Sequence, residues 1–84
     1  MRNFKVGDIV KHFKHETLSD NDDKLQYLYK IIGFAYDTTN DCTVVVYESL
    51  YNHKLYVREQ TEFLSCVDNI KYPEIKQLYR FEVV

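Results

Sequence analysis

The sequence predicts a mainly β protein: a small curled antiparallel sheet, or a partly open SH3-like barrel, of about five strands with one or two short helical turns. Runs rich in β-branched and aromatic residues recur along the chain and are separated by polar breaks. Two such runs, Thr43–Leu50 and Lys54–Arg58, flank the break at Asn52-His53, which is typical of a hairpin. The 84 residues contain only two glycines and one proline. They are predicted to form one domain, 1–84, near the lower size limit for a self-sufficient core.

The N-terminal part supplies the first two predicted strands. A turn at Lys5–Asp8 leads into a strand at about residues 8–14. The segment 15–23 is polar and rich in turn formers, which predicts a solvated loop, with a short helical turn as the alternative. Leu25–Ala35 is the longest apolar run, and its β-branched and aromatic residues favour a strand. Gly33 within that run indicates a bulge at which the sheet can curl.

The C-terminal part supplies the hairpin and the closing strand. Residues 36–41 form a polar connection, and its last two residues suit a tight turn. Val44-Val45-Val46 is apolar at successive positions, and a strand that is apolar on both faces is typically a central one. Three further segments follow in order: a helical turn over residues 59–64, a loop or second turn over 68–77, and a final strand over Leu78–Val83.

Composition excludes several classes of function. The formal net charge is −2, from 13 acidic and 11 basic residues without a basic cluster, which disfavours binding to duplex nucleic acid. No segment approaches the roughly 18 apolar residues of a membrane span. Met1–Lys5 lacks the apolar stretch of a secretory signal, and the two cysteines, Cys42 and Cys66, suit free thiols in a reducing compartment. A cytoplasmic location is therefore predicted.

Short motifs distributed over nearly the whole chain carry a family resemblance. In order, they are His12-Phe13-Lys14, Tyr29-Lys30 with Ala35, Val45-Val46-Tyr47, Leu50-Tyr51, Tyr56-Val57-Arg58, Glu62-Phe63 and Arg80-Phe81. Together they resemble the small bacterial and phage family catalogued as domain of unknown function 1653. The resemblance implies a small β domain but no activity.

The chain departs from this family at several positions. Asp37 stands where a His usually follows the alanine, and Thr39-Asn40 replaces an acidic-Thr pair. Tyr56 replaces a Trp, Glu59 replaces a Pro, and the loop Glu16–Lys24 is longer than usual. Because the missing His belongs to the family pattern, the resemblance places Asp37 among the candidate site residues.

Metal and catalytic sites are not predicted. His12 and His15 are three residues apart in or near a strand and would point to opposite faces, while His53 lies in a turn. The two cysteines have no Cys-x-x-Cys spacing and are interpreted as structural thiols. Carboxylate pairs occur only in predicted loops and turns. The sequence therefore predicts no catalytic residue, no metal and no cofactor.

Cations on strands are the better candidates for function, and four of them stand beside an aromatic or aliphatic strand residue: Lys14, Lys30, Arg58 and Arg80. Arg58 ends a strand, where its planar guanidinium could hold a phosphate or carboxylate through two hydrogen bonds. The alternative for Arg58 is a local ion pair with Glu59 or Glu62. Tyr47, Tyr51 and Tyr56 of the same hairpin could stack on a base, and the His12-Phe13-Lys14 motif could add His12 and Lys14 to the site.

Three hypotheses follow. The first is a non-enzymatic binding module for a small anionic ligand, such as a nucleotide or a nucleotide-derived signal, acting as a carrier or a phage-type sequestering protein, with a site that could be completed across a homo-oligomer interface. The second is a protein-interaction module that uses an aromatic groove or an exposed sheet edge. The third is a small nucleotide-processing enzyme.

Overall fold

The computed structural model describes residues 3–84 as one five-stranded antiparallel sheet. Its elements are β1 (Ile9–His12), a 3₁₀ helix (Phe13–Thr17), β2 (Leu28–Asp37), β3 (Cys42–Ser49), β4 (Leu55–Glu59), α1 (Gln60–Phe63) and β5 (Phe81–Val83). The strand order is β4-β3-β2-β1-β5, so β4 and β5 form the two edges and the sheet is open. The mainly β prediction is confirmed, as is the helical turn after β4.

A bulge in β2 curls the sheet. Ile31 pairs with Tyr47, but the next pair joins Gly33 to Val46, so one extra residue lies in β2. An extra residue bends its strand and increases the local twist. The bulge predicted at Gly33 is therefore confirmed, and the curl brings side chains of the two edge strands together: the Arg58 guanidinium lies 5.7 Å from the centre of the Phe81 ring.

The core lies on the concave face of the sheet. Its buried members come from four strands and from α1: Val10, Ile31, Val45, Tyr47, Phe63 and Phe81. The rings of Phe63 and Phe81 are stacked, with centroids 4.0 Å apart and planes 6° apart. The helical turn after β4 thus places Phe63 against Phe81 of β5. A second cluster, Phe13, Val67 and Ile75, packs the 3₁₀ helix against the segment before β5.

The first strand is shorter than predicted. It ends at His12, because the His12 side chain accepts a hydrogen bond from the Lys14 backbone N–H at 3.1 Å and so caps a 3₁₀ helix. Lys14 consequently lies on this helix and not on a strand. The helical turn starts at Phe13, before the polar loop in which it was placed as an alternative.

Two further boundaries differ from prediction, and the burial of β3 is also informative. β2 continues through Asp37, so the turn into β3 occupies only residues 38–41, with Asp41 in a left-handed conformation (φ 52°) that its short polar side chain tolerates. β3 lies between β2 and β4, so the prediction of a central strand is confirmed, although only Val45 of its three valines is buried. The last strand spans only Phe81–Val83, because Tyr79 instead forms an isolated bridge with Cys66.

No helix in the part of the chain that the structure describes has the length and apolar character needed to cross a membrane. Met1 and Arg2, on which part of the localisation prediction rests, lie outside the described residues.

Candidate functional site

His12 is the centre of the candidate site. It ends β1 opposite Phe81 of β5, and its ring contacts Phe13 and Phe81 with centroids 4.3 and 5.1 Å away. Burial of the ring, together with the positive charges of Arg58, Arg80 and Lys14, lowers its pKa from 6.5 to about 4. The imidazole is therefore neutral at physiological pH. Three cations from three different segments lie within electrostatic range of this one ring.

Arg58 reaches the site from the edge strand β4. Its Nε–H donates to the Tyr47 hydroxyl at 3.4 Å, and an Nη1–H donates to Glu62 Oε1 at 2.5 Å. Burial opposes the charged form, but these two hydrogen-bond partners raise the pKa of Arg58 overall. Of the two alternatives open at Arg58, the local ion pair with Glu62 is present. Its side chains retain 28% and 53% exposure, so solvent reaches both partners.

Arg80 and Lys14 are not neutralised in this way. Arg80 Nε–H donates to the Ser65 hydroxyl at 3.2 Å, which is a neutral partner. Within residues 3–84, neither Arg80 nor Lys14 forms an ion pair with a carboxylate. The region around His12 therefore carries an excess of positive charge in a chain whose net charge is −2.

Tyrosine rings line the same concave face. Tyr29 packs edge-on against Tyr47 and Tyr56 at centroid distances of 5.1 and 6.0 Å, and Tyr47 and Tyr56 stack at 5.8 Å. Burial and the neighbouring phenols raise the pKa of Tyr29 to about 12. Tyr47 was predicted to stack on a ligand, but it is only 4% exposed and faces inward beside Phe63 and Phe81, so the structure places it in the core. Tyr56, at 38% exposure, remains accessible.

Tyr27 adds backbone strain beside the site. Its φ is 65°, a left-handed conformation that is rare for a bulky residue and that recurs at functional sites. The Tyr27 carbonyl accepts a hydrogen bond from the His12 N–H at 2.9 Å, and the two rings lie 5.9 Å apart. The ladder between the two segments thus holds Tyr27 next to His12.

Two predicted site residues lie elsewhere. Asp37 ends β2 and accepts hydrogen bonds from the backbone of Thr39 and Asn40 and from the Asn40 side chain, which lower the pKa of its carboxyl. It therefore stabilises the β2–β3 turn, at the opposite end of β2 from Tyr29. Tyr51 lies exposed in the β3–β4 turn. The structure does not bring either residue to His12.

The histidines are dispersed. His15 Nε2 lies 3.0 Å from the Lys24 carbonyl oxygen, and His53 Nδ1 lies 3.6 Å from Glu48. Among residues 3–84, no three His, Cys, Asp or Glu side chains are grouped so that they could hold a metal ion.

Two surface grooves lie near the site but do not include it. One, of about 370 Å³, is lined by the following residues: Asn3, Phe4, Phe34, Val45, Gln60, Thr61 and Leu64. The other, of about 490 Å³, runs between Asn3 and β5. Neither is lined by His12, Lys14 or Arg58, so neither groove contains the candidate site.

Sequence reasoning missed two residues of this site, Tyr27 and Tyr29. Arg80 was predicted as a candidate cation, and Glu62 only as the alternative ion-pair partner of Arg58. Tyr29 belongs to a motif that carries the family resemblance, and that was the available signal. The strained conformation of Tyr27 left no signal in the sequence, because it depends on the pairing of its segment with β1.

Comparison with known proteins identifies one match. A family model described as "Protein of unknown function (DUF1653)" matches residues 8–83. No curated protein and no solved structure gives a significant match.

Proposed function

We propose that this chain, which belongs to the DUF1653 family of proteins of unknown function, is a non-enzymatic binding module for a small anionic ligand. The observation that carries the proposal is the grouping of cations around His12. The Arg58 guanidinium and the His12 ring lie 5.7 and 5.1 Å from the Phe81 ring, Arg80 immediately precedes Phe81, and the Lys14 backbone N–H donates to His12. Within residues 3–84, Arg80 and Lys14 form no ion pair with a carboxylate. Uncompensated cations beside buried apolar groups favour an anion, because it gains charge-assisted hydrogen bonds there.

A nucleotide suits this arrangement better than a simple anion. The accessible ring of Tyr56 lies on the same face as Arg58, two positions earlier in β4. A base stacked on Tyr56 would leave its phosphate within reach of the guanidinium, which can bind phosphate through two parallel hydrogen bonds. The roles that we propose are base stacking for Tyr56 and phosphate binding for Arg58, Arg80 and Lys14.

The test is thermal unfolding with a panel of inorganic phosphate, nucleosides, nucleoside monophosphates and nucleoside triphosphates. A ligand at roughly 100 times its Kd should stabilise the fold by about 2.7 kcal/mol. We expect at least one nucleotide to raise the Tm and its parent nucleoside to have little effect. Arg58→Ala should weaken binding about 10-fold to 100-fold, since it removes hydrogen bonds to a charged group.

Lys30→Ala is the matched control. Lys30 pairs with Ile9 on the convex face and is exposed, so the substitution removes the same charge away from the site. If Lys30→Ala weakens binding as much as Arg58→Ala, the effect is one of net charge, and the proposed site is wrong. A Tm that no panel member changes would reject nucleotide binding.

Glu62 should act as a competitor of the ligand. Its carboxylate already accepts a hydrogen bond from one edge of the Arg58 guanidinium, at 2.5 Å. An incoming phosphate must displace this carboxylate or accept its repulsion. Because a partly exposed ion pair is worth up to about 1 kcal/mol, Glu62→Gln should tighten anion binding by roughly fivefold.

Isothermal titration calorimetry with the best nucleotide of the panel measures this gain. Glu59→Gln is the control, because Glu59 is exposed in β4 and lies on the convex face. An equal gain in both variants would indicate a long-range charge effect, and weaker binding by Glu62→Gln would mean that the carboxylate assists the ligand.

A further inference from the structure

Strand β4 leaves one edge of the sheet open within the described residues. It pairs only with β3, and it contains neither proline nor a bulge, two of the devices that block an edge. Ser49 N–H donates to the Lys54 carbonyl at 2.9 Å, so Ser49 and Lys54 are a hydrogen-bonded pair. Because such pairs alternate along an antiparallel ladder, the backbone groups of Leu55, Val57 and Glu59 point outward.

Two of the exposed side chains on the convex side of this edge are apolar. Val57 is 65% exposed and Leu55 is 64% exposed, both on the convex face. The pairing places Val57 beside Val46, which is half-buried, and Ile32 of the bulge is also exposed. An apolar stripe therefore crosses the convex face and ends at the open edge.

We infer that β4 pairs with β4 of a second copy of this chain, antiparallel and centred on Val57. This register is self-complementary. It places Val57 opposite Val57 of the second copy and Leu55 opposite Glu59, so every outward-pointing backbone group of the strand finds a partner. The two apolar stripes then join end to end across the two-fold axis.

The second copy also completes the concave face. In this register Tyr56 of one copy lies opposite Arg58 of the other, where a guanidinium and an aromatic ring attract each other. The net charge of −2 per copy gives little repulsion between copies. The inference does not depend on the proposed ligand, because the strand edge and the apolar stripe are features of the free chain.

Disulfide trapping tests the register. In a Cys42→Ser, Cys66→Ser background, Val57→Cys places two thiols on residues whose Cα atoms are about 5.5 Å apart across the axis, within disulfide range. Leu55→Cys is the matched control, since Leu55 is equally exposed. Its two copies would lie four residues apart along the paired strands, roughly 13 Å, which is too far for a bond.

We expect mild oxidation to convert Val57→Cys, but not Leu55→Cys, to a covalent dimer.

Self-association of the wild-type chain can be measured by sedimentation. Its apparent mass should rise towards the mass of two chains as the protein concentration is raised from the micromolar to the millimolar range. Val57→Pro should abolish that rise while circular dichroism shows an intact fold, because residue 57 donates no hydrogen bond to β3. Equal trapping of the two cysteine variants, or a wild-type chain that stays monomeric throughout, would overturn the inference. Self-association lost in Ile32→Lys but kept in Val57→Pro would also overturn it, in favour of packing through the convex faces.

Discussion

Phe63→Ala is expected to lower the free energy of unfolding by about 3–5 kcal/mol. Phe63 is fully buried, stacks on Phe81 at 4.0 Å and packs edge-on against Tyr47 and Phe4. Truncation removes these contacts and leaves a cavity between the helical turn and the sheet. A small domain has only about 5–15 kcal/mol of stability in total, so the variant should be close to unfolding at room temperature.

Urea unfolding monitored by circular dichroism measures this loss. Phe34→Ala is the control, because Phe34 lies on the same sheet but is 43% exposed, and its loss should cost about 1 kcal/mol or less. A similar midpoint for the two variants would mean that Phe63 does not hold the helical turn against β5, and that the concave face is organised in another way.

The strands could be predicted because their signals are local. Alternation, the polar break at Asn52-His53 and the glycine in the longest apolar run each depend on neighbouring residues, and each led to the correct element. The boundaries failed where a side chain competes with the ladder. β1 ends at His12, whose ring nitrogen accepts a hydrogen bond and caps a 3₁₀ helix. An alternating sequence pattern gives no indication of such a hydrogen bond.

The candidate site could be predicted only in part, because it depends on which face of the hairpin turns inward. Tyr47, Tyr56 and Arg58 share one face, as their spacing requires. The curl of the sheet then decides that Tyr47 is buried while Tyr56 remains accessible. Arg80 lies near His12 because β5 pairs with β1, which is distant in sequence. No local sequence pattern indicates this proximity of Arg80 to His12.

The stability of the fold is expected to fall as the pH is lowered from about 6.5 to about 4, because of His12. The pKa of His12 is about 4 in the folded chain and 6.5 when unperturbed. Between these values the unfolded chain binds a proton that the folded chain does not, so the free energy of unfolding decreases with falling pH. At about 1.36 kcal/mol for each pH unit, the loss is on the order of 3 kcal/mol across the window.

The groups that face His12 explain why it resists protonation. Arg58 of β4, Arg80 before β5 and Lys14 of the 3₁₀ helix all repel a charged imidazole, and the ring is largely removed from water. Several carboxyls, such as Glu16, have a lowered pKa in the folded chain and also contribute to the free energy of unfolding. Their contribution decreases only when the pH falls below their ordinary pKa values, at the acid end of the window. Between about pH 6.5 and pH 5, the change in the free energy of unfolding with pH is therefore due mainly to His12.

His12→Asn isolates this effect, because an asparagine Oδ1 can accept the Lys14 N–H in place of Nδ1 but does not titrate. Urea unfolding of both chains, repeated at intervals between about pH 7 and pH 5, should give a falling free energy of unfolding for the wild type and a nearly flat one for the variant. The comparison rests on the slope, since the variant also loses ring contacts with Phe13 and Phe81 at every pH. Equal slopes would show that His12 accepts a proton in the folded chain as readily as in water, and hence that the three cations do not act on it together.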